Sequence, residues 1–194
     1  GRGGHAAAPH EAIDPNLAAA HVLIALQSIA SRNIDPLAHV VVSVCSLHSD
    51  NDATNVIPQS VRMGGTVRTL DEAVRAQVKD RIIALATATA QAYGCTADVA
   101  WVDGYPVTVN AAANTEYAAD VARNVAGDVE DDTAPIMAAE DFSFMLNERP
   151  GAYIFLGNGG GATVHHPEYN FNDEAIPAGC SWFAEMVETR MPAT

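Results

Sequence analysis

The sequence predicts an α+β fold in two parts: a ferredoxin-like βαββαβ sandwich with its first strand largely missing, and then a partial α/β domain. Hydrophobic periodicity in residues 1–105 follows the order helix, strand, strand, helix, strand. After residue 105 the composition shifts to an alanine-rich helix and an acidic loop. A further strand between helices is typical of an α/β sheet. We therefore expect domains at 1–105 and 106–194.

Composition restricts the class of protein. The chain has 194 residues, 48% of them hydrophobic and 18% charged, which suits one large or two small globular domains. Its net charge of -14 argues against binding nucleic acid or an anionic membrane through a basic face. No apolar run approaches the roughly 20 residues of a membrane span. The three cysteines are widely spaced, which favours a reducing compartment, and we expect a cytoplasmic protein.

The first helix and strand have clear sequence signals. Asp14 is a helix N-cap residue, and Pro15 suits the first helical position. Apolar residues then recur at helical spacing, and the helix should end near residues 31–33. From 38 to 47 the period changes to two, which predicts a strand with one buried face.

The second half of the sandwich follows the same reasoning. Residues 56–68 are predicted to form a strand, in which Gly64-Gly65 indicates a bulge or a close approach of backbones. Thr69-Leu-Asp-Glu72 is a capping-box pattern that should begin a helix ending near Gly94. Residues 96–102 alternate again and predict a last strand. The first strand is expected before Gly1.

Residues 106–194 predict three helical segments and two strands. The helices are expected at 111–126, 140–146 and 174–190, and the strands at 134–137 and 153–156. The side of the last helix that we expect to be buried carries Phe183, Met186 and Val187.

Several polar residues are candidates for chemistry. His165-His166 follows the last predicted strand and a glycine run, where α/β proteins place ligands, and imidazole suits Zn, Mn, Co or Ni. Adjacent histidines on an extended loop point apart, so one of the two at most would bind metal. The alternative is a surface pair or a hydrogen-bonded histidine. The histidines within predicted elements, His21, His39 and His48, are interpreted as structural.

Three residues of the first domain could bind a substrate. His5 lies in a glycine- and alanine-rich segment, where it is either a contact to substrate or an oxyanion, or an ordinary loop histidine. Asn55 precedes a strand and Arg68 ends it. A loop cap and a surface ion pair are the default interpretations, but together an amide and a guanidinium fork suit a carboxylate.

Taken together, these stretches closely resemble the amidohydrolase branch of the aminoacylase/carboxypeptidase metallopeptidases, the branch of the hippurate hydrolases. The resemblance covers nearly the whole chain and depends on the combination of motifs. The motifs are Gly1–His10, Asn55–Pro58 with Gly65–Thr69, Tyr105–Asn110, Met137–Phe142 and His165–Asp173.

The resemblance implies a catalytic domain with two divalent metal ions (Zn, Mn, Ni or Co) and an inserted lid that forms a homodimer. Residues 1–105 match the lid. His165 then corresponds to the last metal ligand, and His5 to the lid histidine that contacts the substrate carbonyl. Asn55 and Arg68 correspond to the pair that holds the substrate carboxylate, and Glu140 is expected near the site.

The family's other metal ligands and its general-base Glu are expected upstream of Gly1. The resemblance therefore implies a parent enzyme that hydrolyses N-acyl amino acids such as hippurate to a carboxylic acid and an amino acid. The chain by itself is expected to be inactive and to bind no metal stably. The alternative is a non-catalytic dimerisation or ligand-binding module.

Overall fold

The computed structural model describes residues 1–191 and divides them into two compact units. Unit 1 comprises Gly1–Val107 with Ile136–Ala138, and unit 2 comprises Thr108–Pro135 with the residues from Ala139 onward. Both units mix helices with extended segments, which confirms the predicted α+β character. None of the helices in residues 1–191 is long and apolar enough to cross a bilayer.

Unit 1 contains four strands and two long helices. Strand β1 pairs with β3, and β2 pairs with β4, both antiparallel. A π-helical turn at Ile29–Asn33 follows the first helix. In chain order the elements are β1 (Gly4–His5), α1 (Pro15–Leu26), β2 (Val40–Ser49), β3 (Val56–Ile57), β4 (Val61–Thr69) and α2 (Glu72–Ala92).

The core of unit 1 lies between the two helices and one face of the β2–β4 sheet. Ile29 and Val78 are fully buried at its centre. The alternation of β2 and β4 supplies the sheet side of this core, because every second side chain faces the helices. The sheet residues packed against it are Val40, Val42, Val44, Met63 and Val67.

A bulge interrupts the β2–β4 ladder, as the glycine pair predicted. Val44 lies opposite Gly65 and Ser46 lies opposite Gly64, so Cys45 is the extra residue. A methyl group on Gly65 would collide with the Ser43 carbonyl oxygen of the facing strand. The bulge also shifts the alternation of β2, so that residues 41 and 43 before it share the helix-free face with 46 and 48 after it.

Two strand predictions in unit 1 are wrong in detail. The strand predicted at 56–68 is split, because Pro58 and the two residues after it separate β3 from β4. Residues 96–102 form no strand, although Ala97 and Val99 pack against the hydrophobic clusters of unit 1. In a βαββαβ sheet the last strand pairs with the first strand. Residues 1–191 contain no such first strand with which residues 96–102 could pair. The alternation of apolar residues in 96–102 allows these side chains to pack, but it does not provide the hydrogen-bonded partner that a strand requires.

The start of α2 differs from the predicted capping box. Asp71 is the N-cap, and its carboxylate accepts the Val74 N–H at 2.9 Å. The Thr69 hydroxyl instead donates to the Asp71 carbonyl oxygen at 3.0 Å. Glu72 accepts the N–H of Val107 at 2.9 Å rather than closing a box. The Asp71 carboxylate, which is adjacent to the helix, therefore takes the capping position that the sequence assigned to Thr69.

The predicted start of α1 and the glycine after α2 are confirmed, whereas α1 ends at Leu26 and only the separate π-helical turn reaches the predicted end near residues 31–33. The Asp14 carboxylate caps α1 by accepting the N–H of Asn16 at 2.8 Å, and Pro15 is the first helical residue. Gly94 follows α2 with a φ of 73°, the left-handed conformation that glycine adopts readily after a helix.

Unit 2 contains helices α3 (Ala112–Ala126), α4 (Phe142–Glu148) and α5 (Ile176–Arg190), with a 3-10 turn at Asp173–Ala175. The strands predicted at 134–137 and 153–156 are not formed within residues 1–191.

The buried side of α5 also differs from the prediction. Trp182 anchors the helix to α3 by donating its indole N–H to the Ala118 carbonyl oxygen at 3.1 Å. Phe183 and Val187 are 67% and 55% exposed, whereas Met186 is half-buried.

Candidate functional site

The pairing of β1 with β3 brings two of the candidate residues together. His5 lies opposite Val56, and the N–H of Ala6 donates to the Asn55 carbonyl oxygen at 3.0 Å. Both candidate side chains are exposed. The Asn55 amide makes no side-chain hydrogen bond within residues 1–191. Its donor and its acceptor are therefore both available beside His5.

A hydrogen bond fixes the protonation pattern of His5. Its Nδ1 accepts the backbone N–H of Ala7 at 3.0 Å. A neutral imidazole that accepts at one nitrogen carries its proton at the other, so Nε2 is the donor. An exposed, neutral N–H donor suits a carbonyl oxygen on which negative charge develops.

Arg68 is oriented by its own strand. Its Nη1 donates to the Thr66 hydroxyl at 2.7 Å and to the Val67 carbonyl oxygen at 3.1 Å. Thr66 lies two residues earlier on the same face of β4, so this pairing follows from the strand period. The Nε and Nη2 groups have no hydrogen-bond partner in residues 1–191. These two nitrogens form the fork that binds a carboxylate in a bidentate manner.

The two adjacent histidines of unit 2 have different environments. His166 belongs to a turn: its Nδ1 accepts the Glu168 N–H at 3.1 Å, and its own N–H donates to the Thr163 carbonyl oxygen. The His165 ring is exposed and has no partner within residues 1–191. His165 has a φ of 70°, the one positive value outside glycine in that range. A strained backbone at an unpartnered donor supports a functional role for His165.

The described residues do not by themselves fit a metal ion. Within residues 1–191, no three His, Cys, Asp or Glu side chains lie close enough together to hold one. Protein zinc sites use three or four ligands, and His165 is a single imidazole. His165 belongs to unit 2, whereas the other three candidates belong to unit 1.

Unit 2 contains one polar cluster that the sequence did not predict. The Asn110 side chain clasps the backbone of Tyr153, accepting its N–H at 2.8 Å and donating to its carbonyl oxygen at 2.9 Å. Burial, and next the adjacent Glu140 carboxylate that is hydrogen-bonded to it, raise the pKa of the Tyr153 hydroxyl. Asn110 and Tyr153 are 43 residues apart along the chain, so no local sequence pattern predicts this contact.

An open polar depression of about 450 Å³ lies beside the last glycine run. It is formed by 158–162 together with 168 and 170–174, and neither of the adjacent histidines lines it. The side chain of Asn158 organises it by accepting the Asn172 N–H at 2.7 Å. The depression is therefore separate from the candidate metal ligand.

Unit 1 thus carries the exposed His5, Asn55 and Arg68, and a loop of unit 2 carries the exposed His165. The chain matches the model of peptidase family M20/M25/M40 over residues 6–189 and belongs to this family. The resemblance to the aminoacylase/carboxypeptidase group is thereby confirmed.

Two relatives and one solved structure show the extent of the similarity. The N-acetyl-L-cysteine deacetylase of Bacillus subtilis is 39% identical over 176 residues, 91% of this chain and 42% of the relative. The hippurate hydrolase of Campylobacter jejuni is 35% identical over 188 residues, 96% of this chain and 49% of the relative. A dinuclear metal-binding peptidase from Bacillus subtilis superimposes with a TM-score of 0.70 at 28% identity, covering 90% of this chain and 45% of its own. The chain thus spans less than half of each.

Proposed function

We propose that this chain is the substrate-positioning part of a metal-dependent amidohydrolase that cleaves N-acyl amino acids to a carboxylic acid and a free amino acid. The observation that carries the proposal is the neutral Nε2 donor of His5 beside the unpartnered Asn55 amide. Two relatives are named for hippurate hydrolysis and N-acetyl-L-cysteine deacetylation, and both compounds are N-acyl amino acids.

Each side chain has a role that its hydrogen bonds permit. The Nε and Nη2 groups of Arg68 bind the substrate carboxylate as a fork, and the Asn55 amide binds a polar group beside it. These contacts fix the position of the scissile amide. His5 Nε2–H donates to the amide carbonyl oxygen and stabilises the negative charge that develops there.

His165 supplies one imidazole ligand for the metal ions. Two divalent ions are expected, and each is Zn, Mn, Ni or Co. The remaining ligands and the general base come from outside residues 1–191. By itself the 194-residue chain should therefore neither hold a metal ion stably nor hydrolyse the substrate.

The chain should also form a homodimer through unit 1. Light scattering at two protein concentrations tests this, and a strict monomer would contradict the proposed homodimer.

The decisive experiment measures N-benzoylglycine hydrolysis in the longer protein to which we assign this chain. His165→Ala should lower kcat by roughly 100-fold or more, because a lost ligand costs at least as much as a lost partner of a ligand. His166→Ala is the matched control, since its ring only holds a turn, and it should retain near wild-type kcat. Equal activity of both variants would refute the metal role of His165.

The proposed roles of the lid residues His5 and Arg68 are distinguished by whether their substitution changes kcat or KM. His5→Ala should lower kcat by about 10²–10³-fold, the usual effect of removing an oxyanion donor. Arg68→Lys should mainly raise KM, because a lysine keeps the charge but loses the bidentate fork. If His5→Ala altered KM alone, His5 would bind the ground state and the oxyanion assignment would be wrong.

The second candidate is a non-catalytic dimerisation or ligand-binding module. It is favoured by the lack of any three-ligand group within residues 1–191. Metal analysis and the same hydrolysis assay on the longer protein distinguish the two. A metal-free, inactive protein that still binds an N-acyl amino acid would favour the module.

A further inference from the structure

The helix-free face of the β2–β4 sheet is polar and cationic, although the chain as a whole carries a net charge of -14. No acidic side chain lies among the eight residues of this face, which includes two of the ten basic residues of the chain. The Asp50 carboxylate, two residues beyond His48, accepts the N–H groups of Gln59 and Ser60 and the Ser60 hydroxyl. The face itself presents no carboxylate to an approaching anion. The face consists of Val41, Ser43, Ser46 and His48 of β2, with Arg62, Gly64, Thr66 and Arg68 of β4.

His48 and Arg62 are direct cross-strand partners at one end of this face. Directly opposite residues have Cβ atoms about 5 Å apart, so one ligand can reach both side chains. Both side chains are exposed, and neither makes a hydrogen bond or ion pair within residues 1–191. Arg68 differs, because Thr66 fixes one of its nitrogens.

Gly64 leaves room for the Ser46 hydroxyl next to this pair. A Cβ atom on Gly64 would lie 2.8 Å from the Ser46 hydroxyl oxygen, so that hydroxyl occupies the space over the glycine. Ser46 and Gly64 face each other two residues from His48 and Arg62 on the same face. A guanidinium fork, an imidazole and a hydroxyl therefore neighbour one another on this face, and all three can donate to a carboxylate.

We propose that His48, Arg62 and Ser46 form a binding site for the carboxylate of a small organic acid, distinct from the Arg68 position. Six residues of extended strand separate Arg62 from Arg68, a distance of about 20 Å. A single N-acyl amino acid held at Arg68 does not span that distance. The site therefore takes a second molecule and goes beyond the proposed function.

The test is an NMR titration of the 194-residue chain with sodium benzoate, at ionic strength held constant with chloride. We expect saturable shifts of the His48 and Arg62 amide signals with a Kd of about 1–10 mM. Arg62→Gln should weaken binding about tenfold or more, because it removes charge-assisted hydrogen bonds. His48→Ala should also weaken it. Arg32→Gln is the matched control, since Arg32 is exposed and bonds only to the Ser31 carbonyl oxygen.

Three results would overturn the proposal. The first is shifts of equal size with chloride alone, which would indicate screening rather than a site. The second is saturable binding that perturbs Arg68 and is unchanged in Arg62→Gln, a result that leaves the proposed role of Arg68 intact. The third is shifts that depend on protein concentration without benzoate and vanish in Arg62→Gln, which would assign this face to a second copy of the chain.

Discussion

Val78 lies fully buried on the side of α2 that packs against α1 and the sheet, and it tests the assigned core of unit 1. Val78→Ala removes two methyl groups, which costs about 1.6 kcal/mol in lost apolar burial. The space they leave adds about 1 kcal/mol if the surrounding side chains do not relax. We therefore expect the free energy of unfolding of unit 1 to fall by about 2–3 kcal/mol.

The measurement is urea denaturation followed by tryptophan fluorescence. Trp101 belongs to unit 1 and Trp182 to unit 2, so a Trp182→Phe background makes the signal report unit 1 alone. The midpoint should fall by roughly 1 M urea. Val102→Ala makes the same chemical change at a side chain that is 86% exposed, and it should cost less than about 0.5 kcal/mol. Equal losses at the two positions would refute the assigned core.

Three further predictions concern local structure. Asp71→Ala removes the N-cap of α2 and should cost about 1 kcal/mol in urea denaturation, whereas Thr69→Ala should cost a few tenths; equal losses would support the capping box instead. Gly65→Ala should disrupt the β2–β4 sheet in circular dichroism, whereas Gly104→Ala, which meets no atom within 4 Å, should not. The pKa of the Tyr153 hydroxyl is raised above 10.0. The neutral hydroxyl therefore stabilises the fold fully below pH 10, and this contribution is lost as the pH rises through the raised pKa. Tyr153→Phe should flatten the loss of stability above pH 10, and an unchanged decline would contradict the raised pKa.

Local sequence signals predicted most of the helices. Asp14 with Pro15 located the start of α1 because a side-chain cap acts within one turn. The capping-box prediction failed at α2 because the Asp71 carboxylate caps the helix, while the Glu72 carboxylate accepts the distant Val107 N–H. The strand predictions at 96–102 and 153–156 failed for another reason: a strand requires a hydrogen-bonded partner, and alternation of side chains does not supply one.

The candidate site was only partly accessible from sequence. His5, Asn55, Arg68 and His165 were identified because their motifs resemble those of a known family. The residue pattern alone left His165 and His166 equivalent, and the resemblance selected His165 as the metal ligand. The hydrogen bond that the His166 ring accepts from the Glu168 N–H agrees with that choice.

The sequence by itself determined the family, through motifs spread along the chain, and most helix starts, because these depend on neighbours within a few positions. Only the tertiary structure decided that His5 lies beside Asn55 and that His48 faces Arg62. Those facts depend on strand register and on a bulge. A shift of one residue would turn every side chain to the opposite face.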